Sequence, residues 1–238
     1  MLAVLTLLQN INIMMNSSFK KTIILFGVVI VVIFICFYFR GTINNNTEDK
    51  NDYCYNVAQE NNNAVVTLSM GKDVYATGVI ISYQDEKYVL SVGHIFDEKT
   101  DKIYAESNNK QYTCKLYRQS AKYDLAILEI ENCSIEPIEI VNNTCILGET
   151  VVAYGNSLNN GISLKTGIVS KFDAVIDDTK TKFVQASVPI NEGDSGAPVF
   201  NMQGKMLGVF VGKIESAYVE GMSYFIKMGD VIDFLRTV

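Results

Sequence analysis

The chain of 238 residues contains no tryptophan, only three prolines and a single histidine. The scarcity of proline, together with a hydrophobic content of 48%, argues against extended disorder and predicts a sizeable buried core. Neither a CxxC pair nor a Cys/His spacing typical of a zinc site is present, and we expect no metal or organic cofactor. Any reaction that needs an imidazole base must therefore use His94.

Acidic residues are missing from the first 40 positions, which carry only Lys20, Lys21 and Arg40 as charged residues. The rest of the chain holds 17 of the 20 basic residues and all 26 acidic ones, for a net charge of −9. An acidic domain repels the phosphate backbone, so nucleic acid is not an expected partner.

An uncharged run of 18 residues, "TIILFGVVIVVIFICFYF", occupies positions 22–39. Its length suits a helix that crosses a membrane, which needs about 17–25 residues. A cleaved signal peptide is the alternative, but its apolar core is usually about 7–15 residues long and is followed by a small-x-small cleavage site, which is missing here. We therefore predict a signal anchor over 22–40, which attaches the protein to a membrane. Since Lys20 and Lys21 outweigh Arg40, segment 1–21 is predicted to be cytoplasmic and the acidic portion extracytoplasmic.

Four cysteines follow this run, namely Cys54, Cys114, Cys133 and Cys145. They are compatible with two disulfides in any of three pairings, or with free buried thiols, and the sequence leaves these alternatives open.

Beyond the run, segment 41–63 is polar and rich in asparagine, which is typical of a tether. From Ala64 onwards, short segments rich in Val, Ile, Tyr and Thr alternate with Gly, Asn, Asp or Lys turns. This pattern predicts an all-β domain, either a sandwich or a barrel. The final "GDVIDFLRTV" has its apolar residues at helical spacing and predicts a short C-terminal helix.

The stretch "NEGDSGAPVF" at 191–200 encloses Ser195 between two glycines. A serine becomes a strong nucleophile when a neighbouring base takes its proton, and a third group such as aspartate orients that base. His94 lies where the apolar strand "YVLSVGHIFD" ends, and Asp124 opens the apolar strand "YDLAILEI". These three residues are therefore the candidate catalytic set. The alternative for "GDSG", a tight turn joining two strands, explains the glycines equally well.

With the order His, Asp, Ser, the sequence resembles the chymotrypsin-like serine peptidases, and most closely their Deg-type (high-temperature-requirement) and glutamyl-endopeptidase branches. Four segments between about 64 and 236 carry the similarity: "TGVIIS" with "YVLSVGHIF", "YDLAILEI", "AYGNSLNNGISLKTGIVS" and "VPINEGDSGAPVFNMQGKMLGVFVG". The resemblance implies a double β-barrel followed by a helix. The peptidase domain would span 64–238, with six-stranded barrels over about 64–140 and 146–228 and the helix over about 229–237.

Carried over from the family, His94 is the general base and then acid, Asp124 orients it, and Ser195 forms the acyl-enzyme. The backbone N–H groups of Gly193 and Ser195 would form the oxyanion hole. The resemblance also implies a set of substrate-binding positions: Pro189, Ile190, Phe210, Val211 and Gly212.

Two features depart from particular branches of the family. In relatives activated by cleavage, the aspartate at position 194 pairs with the newly cut N-terminus, but no Ile-Val-Gly-Gly-like start precedes "AVVTLSM" here. We expect Asp194 to have another partner or to be solvated. Deg-type proteins usually carry a peptide-binding domain after the peptidase, and we expect none here.

The sequence thus predicts a membrane-anchored serine endopeptidase that acts on extracytoplasmic proteins or peptides. In the family that the sequence resembles, an acid at the Pro189 position would favour cutting after Arg or Lys, and glutamyl endopeptidases use a second histidine in the same pocket. Because this sequence has neither, the resemblance implies a small or medium apolar residue before the cut. The alternative is a catalytically silent domain of the same fold that binds peptides or partner proteins.

Overall fold

The computed structural model describes residues 27–38, 57, 61–71, 74–97, 102–176, 181–213 and 221–237. The chain divides into two compact units, Met1–Lys50 and Asn51–Val238. In the first unit, 27–38 is helical with exposed side chains. Among the described residues, no helix has both the length and the apolar character needed to cross a membrane. The ends of the predicted anchor 22–40, the predicted cytoplasmic segment 1–21 and most of the predicted tether 41–63 lie outside the described residues.

The first barrel is built from strands that pair antiparallel in a ring, in the order β1-β4-β5-β6-β3-β2 and back to β1. A short seventh strand, β7, pairs parallel with β2. The strands are β1 (Val65–Met70), β2 (Val74–Tyr83), β3 (Glu86–Val92), β4 (Ile103–Ser107), β5 (Lys110–Ser120), β6 (Leu125–Ile130) and β7 (Ile138–Glu139).

The second barrel is closed, in the order β10-β13-β12-β11-β8-β9. Its strands are β8 (Thr150–Gly155), β9 (Ser163–Ala174), β10 (Phe183–Ala186), β11 (Pro198–Asn201), β12 (Met206–Lys213) and β13 (Ser223–Lys227). The chain continues into the C-terminal helix Met228–Leu235. The predicted all-β double barrel with a short terminal helix is therefore confirmed.

Alternation of side chains along the strands explains why so many of these segments are apolar throughout. On β2, Ile80 points into a cluster with Leu68 and Leu128 inside the first barrel. Its neighbours Val79 and Ile81 belong to a different cluster, which also contains residues of the second barrel and of the C-terminal helix. Because both faces of such a strand are buried, neither face needs polar residues. The two barrels thus share one apolar interface, and the candidate site lies where strands end beside it.

The cysteines of the described residues, Cys36, Cys114, Cys133 and Cys145, are free, whereas Cys54 lies outside the described ranges. Burial, reinforced by the nearby Cys133, raises the pKa of the Cys114 thiol to about 12. Cys114 is therefore protonated and packs as an apolar side chain inside the first barrel.

Candidate active site

His94 lies in a turn, residues 93–96, that directly follows strand β3. The end of β3 is paired with the start of β6, with Val92 opposite Leu125. The N–H of Gly93 donates to the carbonyl of Asp124 at 2.9 Å. A Cβ at Gly93 would lie 3.2 Å from the backbone nitrogen of Leu125, so the close approach of the two strand ends favours glycine. Strand pairing thereby brings together two residues that are 30 positions apart.

The carboxylate of Asp124 binds His94 at two points. Its Oδ1 accepts the backbone N–H of His94 at 2.8 Å, and its Oδ2 lies 2.8 Å from His94 Nδ1. Asp124 has φ +52°, a left-handed conformation that aspartate adopts more readily than most residues. A proton held on Nδ1 by the carboxylate leaves Nε2 as the nitrogen that can accept another proton. The imidazole is half exposed, at 47% of its side-chain surface, so Nε2 can exchange protons with a substrate or with water.

Gln119, near the end of β5, secures the same turn. Its Nε2 donates to the carbonyl of Gly93 at 2.7 Å and to the carbonyl of Phe96 at 3.2 Å. These carbonyls stand on either side of His94 in the chain. The sequence analysis missed this residue because a glutamine near the end of a polar strand carries no motif.

Ser195 belongs to the nucleophile loop, defined here as residues 191–197. Gly193 and Gly196 adopt φ values of +90° and +88°, which glycine tolerates at no steric cost. A Cβ on Gly193 would clash with the carbonyl oxygen of Asn156, and one on Gly196 with that of Thr77. The two glycines are therefore required both by the turn and by the close packing of the loop.

Thr77 of strand β2 connects the first barrel to the nucleophile loop. Its N–H donates to the carbonyl of Ser195 at 2.9 Å, and its hydroxyl donates to the carbonyl of Gly193 at 2.8 Å. The same hydroxyl accepts the N–H of Asn156 at 3.0 Å, and the Thr77 carbonyl accepts the hydroxyl of Ser91 at 2.7 Å. Thr77 is fully buried, and all of its polar groups are bonded. It is a further residue that the sequence analysis missed.

The predicted oxyanion donors, the N–H groups of Gly193 and Ser195, donate no hydrogen bond to any other described residue. The N–H of Leu158 donates to the carbonyl of Glu192 at 2.8 Å, which directs that carbonyl toward Leu158. In a trans peptide the N–H points away from the carbonyl, so the N–H of Gly193 is directed to the opposite side. Two unused backbone donors next to a serine form an arrangement that can bind a developing oxyanion.

The hydroxyl of Ser195 donates to the carbonyl of Val211 at 3.1 Å and is not bonded to His94. Val211 nevertheless lines a cavity of about 370 Å³ together with His94 and Asp124. The structure thus joins His94 and Asp124 directly, and the Ser195 hydroxyl is bonded to the wall of the cavity that they line. In the absence of substrate, catalytic hydrogen bonds are often long or poorly aligned.

Two cavities lie beside the site. The one at His94 also has apolar walls, contributed by Ala121, Ile176, Phe183 and Val211. The other, of about 290 Å³, adjoins Gly193 and is lined by Tyr75, Leu158, Asn159 and Glu192.

The predicted substrate-binding positions differ in exposure. Pro189 is exposed, Ile190 is buried, and Val211 and Gly212 are half-buried. Phe210 is fully buried against Phe225, its N–H donates to the carbonyl of Ala197 at 2.9 Å, and its carbonyl accepts the N–H of Gly196 at 2.8 Å. The side chain and the backbone of Phe210 are thus both used inside the second barrel, and its contact with a substrate strand stays a prediction.

Asp194 is 1% exposed and has the alternative partner that the sequence led us to expect. Its Oδ1 lies 2.7 Å from the ammonium of Lys165 on β9. Its Oδ2 accepts the hydroxyl of Ser157 at 2.7 Å and the N–H of Asn191 at 2.8 Å. The sequence offered no signal for Lys165, one of two lysines in a largely exposed strand.

Comparison with known proteins agrees with this geometry. A family model described as "Trypsin-like peptidase domain" matches residues 76–209. A probable periplasmic serine endoprotease, DegP-like, of Pseudomonas savastanoi pv. phaseolicola is 33% identical over 135 residues, which cover 56% of this chain and 28% of that protein. The serine protease Do-like HtrA of Bacillus subtilis is 29% identical over 166 residues, which cover 65% of this chain and 37% of that protein. The chain thus spans well under half the length of these curated relatives.

Among solved structures, the serine endoprotease from Yersinia pestis superimposes with a TM-score of 0.67 at 25% identity, covering 77% of this chain and 65% of that one. The resemblance to chymotrypsin-like peptidases of the Deg type is confirmed by these matches.

Proposed function

Because the chain belongs to the trypsin-like peptidase family, we propose that it is a membrane-anchored serine endopeptidase that hydrolyses peptide bonds of extracytoplasmic proteins. The observation that carries this proposal is the convergence at one cavity. His94, bonded to Asp124, lines the same cavity as Val211, which holds the Ser195 hydroxyl. The N–H groups of Gly193 and Ser195 donate to no residue of the part of the chain that the structure describes.

In the first half of the reaction, the Ser195 hydroxyl leaves the carbonyl of Val211 and turns toward His94 Nε2. As Oγ attacks the carbonyl carbon of the scissile bond, the hydroxyl proton moves to Nε2 and a tetrahedral intermediate forms. Asp124 stabilises the resulting imidazolium through Nδ1. The negative charge on the former carbonyl oxygen is bound by the N–H groups of Gly193 and Ser195, and losing one such donor typically costs about 3–4 kcal/mol in the barrier.

The second half regenerates the enzyme. His94 Nε2 gives its proton to the leaving nitrogen, the C–N bond breaks, and the amine departs while Ser195 stays acylated. Water then attacks the ester while His94 takes one of its protons, and His94 gives that proton to the Ser195 oxygen as the ester C–O bond breaks and the carboxylic acid product leaves. Neither a metal nor an organic cofactor is needed in this scheme.

For the residue before the cut, we favour a small or medium apolar side chain. Ile190 and Val211 are apolar, and Pro189 offers no carboxylate to attract an arginine or lysine. Val211 and Gly212 are the backbone positions that remain for pairing with an extended substrate, a common mode of peptide recognition.

The anchor and the topology are further parts of the proposal. They are supported by the uncharged run at 22–39, by Lys20 and Lys21 before it, and by the word periplasmic in the name of the Pseudomonas relative. The test is extraction of membranes that contain the full chain with alkaline carbonate. The proposed anchor keeps the chain in the pellet, whereas Val31→Asp releases it, because a charge at the centre of a span costs about 3 kcal/mol. Release of the unsubstituted chain would refute the anchor.

The peptidase activity is tested with a fluorophosphonate probe on the full chain. We expect labelling that is abolished by Ser195→Ala and by His94→Ala, and that is unchanged by Ser170→Ala, which alters an exposed serine on β9. A folded chain that takes up no label would instead support the silent, peptide-binding alternative.

The pH profile provides a second test. His94 must be neutral to accept the serine proton, so the rate should rise with pH as the imidazolium loses its proton. Initial rates on a fluorogenic peptide, measured as a function of pH, should follow a single rising step. A flat profile with chemistry rate-limiting would exclude His94 as the base.

A further inference from the structure

We propose that the buried ion pair of Lys165 and Asp194 holds the nucleophile loop in its substrate-ready shape in the uncut chain. Lys165 is then a positioning residue for Ser195 and its neighbouring N–H donors, and activation requires no cleavage of the chain. This inference rests on the proposed peptidase function.

Asp194 lies at the centre of the nucleophile loop. Asp194 stands between Gly193 and Ser195, the two residues whose N–H groups are the proposed oxyanion donors. Its side chain is 1% exposed, and that of Lys165 is 11% exposed. A Cβ at Gly155 would clash with the Asp194 carboxylate, so the carboxylate packs closely against the end of β8. Any change in the position of this carboxylate must be transmitted to the backbone on both sides of it.

The negative charge of the Asp194 carboxylate is balanced by the ammonium of Lys165. The carboxylate accepts three hydrogen bonds, from Lys165, Ser157 and Asn191, and only the donor on Lys165 is charged. Within the described ranges, no other cation forms an ion pair with Asp194. A buried carboxylate without a counter-charge is strongly unfavourable, and breaking a buried pair from one side is far more costly than removing both charges. Without Lys165, Asp194 has to turn toward solvent, and the loop has to move with it.

The cation that pairs with Asp194 is a side chain, not a chain end. In relatives activated by cleavage, the partner of this aspartate is a newly created N-terminal ammonium. Here the ammonium belongs to strand β9 of the same barrel, whose register with β8 places Lys165 opposite Ala153. The counter-charge is thus present as soon as the second barrel has folded.

The test uses the full chain, shown by intact mass to be uncut. Active sites are counted with a fluorophosphonate probe, and kcat and KM are measured on a fluorogenic peptide. Lys165→Met keeps the length and the apolar stem of the side chain but removes its charge. We expect kcat to fall about 100-fold, the typical effect of losing an oxyanion donor, with a much smaller change in KM. Lys165→Arg should retain most of the activity, and Lys171→Met, which alters an exposed lysine on the same strand, should change neither parameter.

A double variant separates positioning from simple loss of stability. Lys165→Met combined with Asp194→Asn leaves no buried charge, and the asparagine oxygen can still accept from Ser157 and Asn191. We expect kcat to return to within about tenfold of the unsubstituted chain. The proposal is overturned if Lys165→Met retains full kcat, or if the double variant is no more active than Lys165→Met.

Failure of this inference can be told apart from failure of the proposed function. An unsubstituted chain that is labelled at Ser195 only after a cut refutes constitutive ordering and leaves the peptidase intact. A chain that is labelled neither before nor after cutting refutes the peptidase function itself.

Discussion

The turn that carries His94 and the loop that carries Ser195 come from different barrels and are held in different ways. The His94 side chain is 47% exposed and is held by Asp124, while Gln119 secures the carbonyls on either side of it. The nucleophile loop is mostly buried from Gly193 onwards, with a 1% exposed Asp194 at its centre and two glycines packed against neighbouring carbonyls.

This difference matches the role that we propose for each group. A general base must take up and release protons and must rotate slightly. A solvent-exposed side chain with few hydrogen bonds can do both. Oxyanion donors must stay in place while charge develops, because their contribution depends on being oriented before the reaction. A densely bonded, buried loop provides that rigidity. The two halves meet at Thr77, which belongs to the first barrel but bonds to the loop of the second.

The largest effect on activity is expected at Asp124, which binds His94 in the exposed turn. In Asp124→Asn the amide can donate to Nδ1 and thereby favour the wrong tautomer of His94. We expect kcat to fall about 10⁴-fold with the fold intact, as is typical of this arrangement. Steady-state kinetics provide the measurement, and Asp233→Asn on the C-terminal helix is the control for an exposed aspartate. A loss of less than about tenfold would show that the orienting acid lies elsewhere.

An intermediate effect on activity is expected at Thr77, where the first barrel bonds to the nucleophile loop of the second. Thr77→Val preserves shape but removes the hydroxyl that bonds Gly193 and Asn156, which leaves a buried carbonyl and a buried N–H without partners. We expect the free energy of unfolding to fall by about 2–4 kcal/mol and kcat to fall about 10- to 100-fold. Denaturant titration and kinetics are measured together, and Thr113→Val at an exposed position of β5 is the control. If stability falls but kcat does not, Thr77 joins the barrels without ordering the donors.

The smallest effect on activity is expected at Gln119. In Gln119→Ala the carbonyls of Gly93 and Phe96 lose this donor, but the Gly93 carbonyl still accepts the N–H of Phe96, and Gly93 lines the cavity at His94, where water can replace the amide. We expect kcat to fall by less than about tenfold through a less well positioned His94, with almost no change in melting temperature. Gln111→Ala on the same strand is the control. A loss as large as that of Thr77→Val would mean that the exposed turn depends on fixed bonds as much as the buried loop does.

Local patterns in the chain were sufficient to predict the strands and the terminal helix, whereas the pairing of His94 with Asp124, 30 residues apart, was implied by the resemblance to a known family. Runs such as "YATGVIIS" and "YVLSV" are apolar on both faces because one face points into a barrel and the other into the interface between barrels. Short-range alternation and turn residues therefore contain the information for these elements. The glycines around Ser195 also mark their turn, since positive φ values restrict the residue type.

The partners of Asp194, the role of Thr77 and the burial of Phe210 required the folded molecule. Lys165 and Asp194 are 29 residues apart, and Thr77 and Gly193 are 116 apart, so no local pattern relates them. Each pair forms because two strands or two barrels pack in a particular register, and that register depends on the whole core. A buried charge or hydroxyl must find a bonded partner, but the identity of that partner is set by whichever side chain the tertiary packing brings within reach.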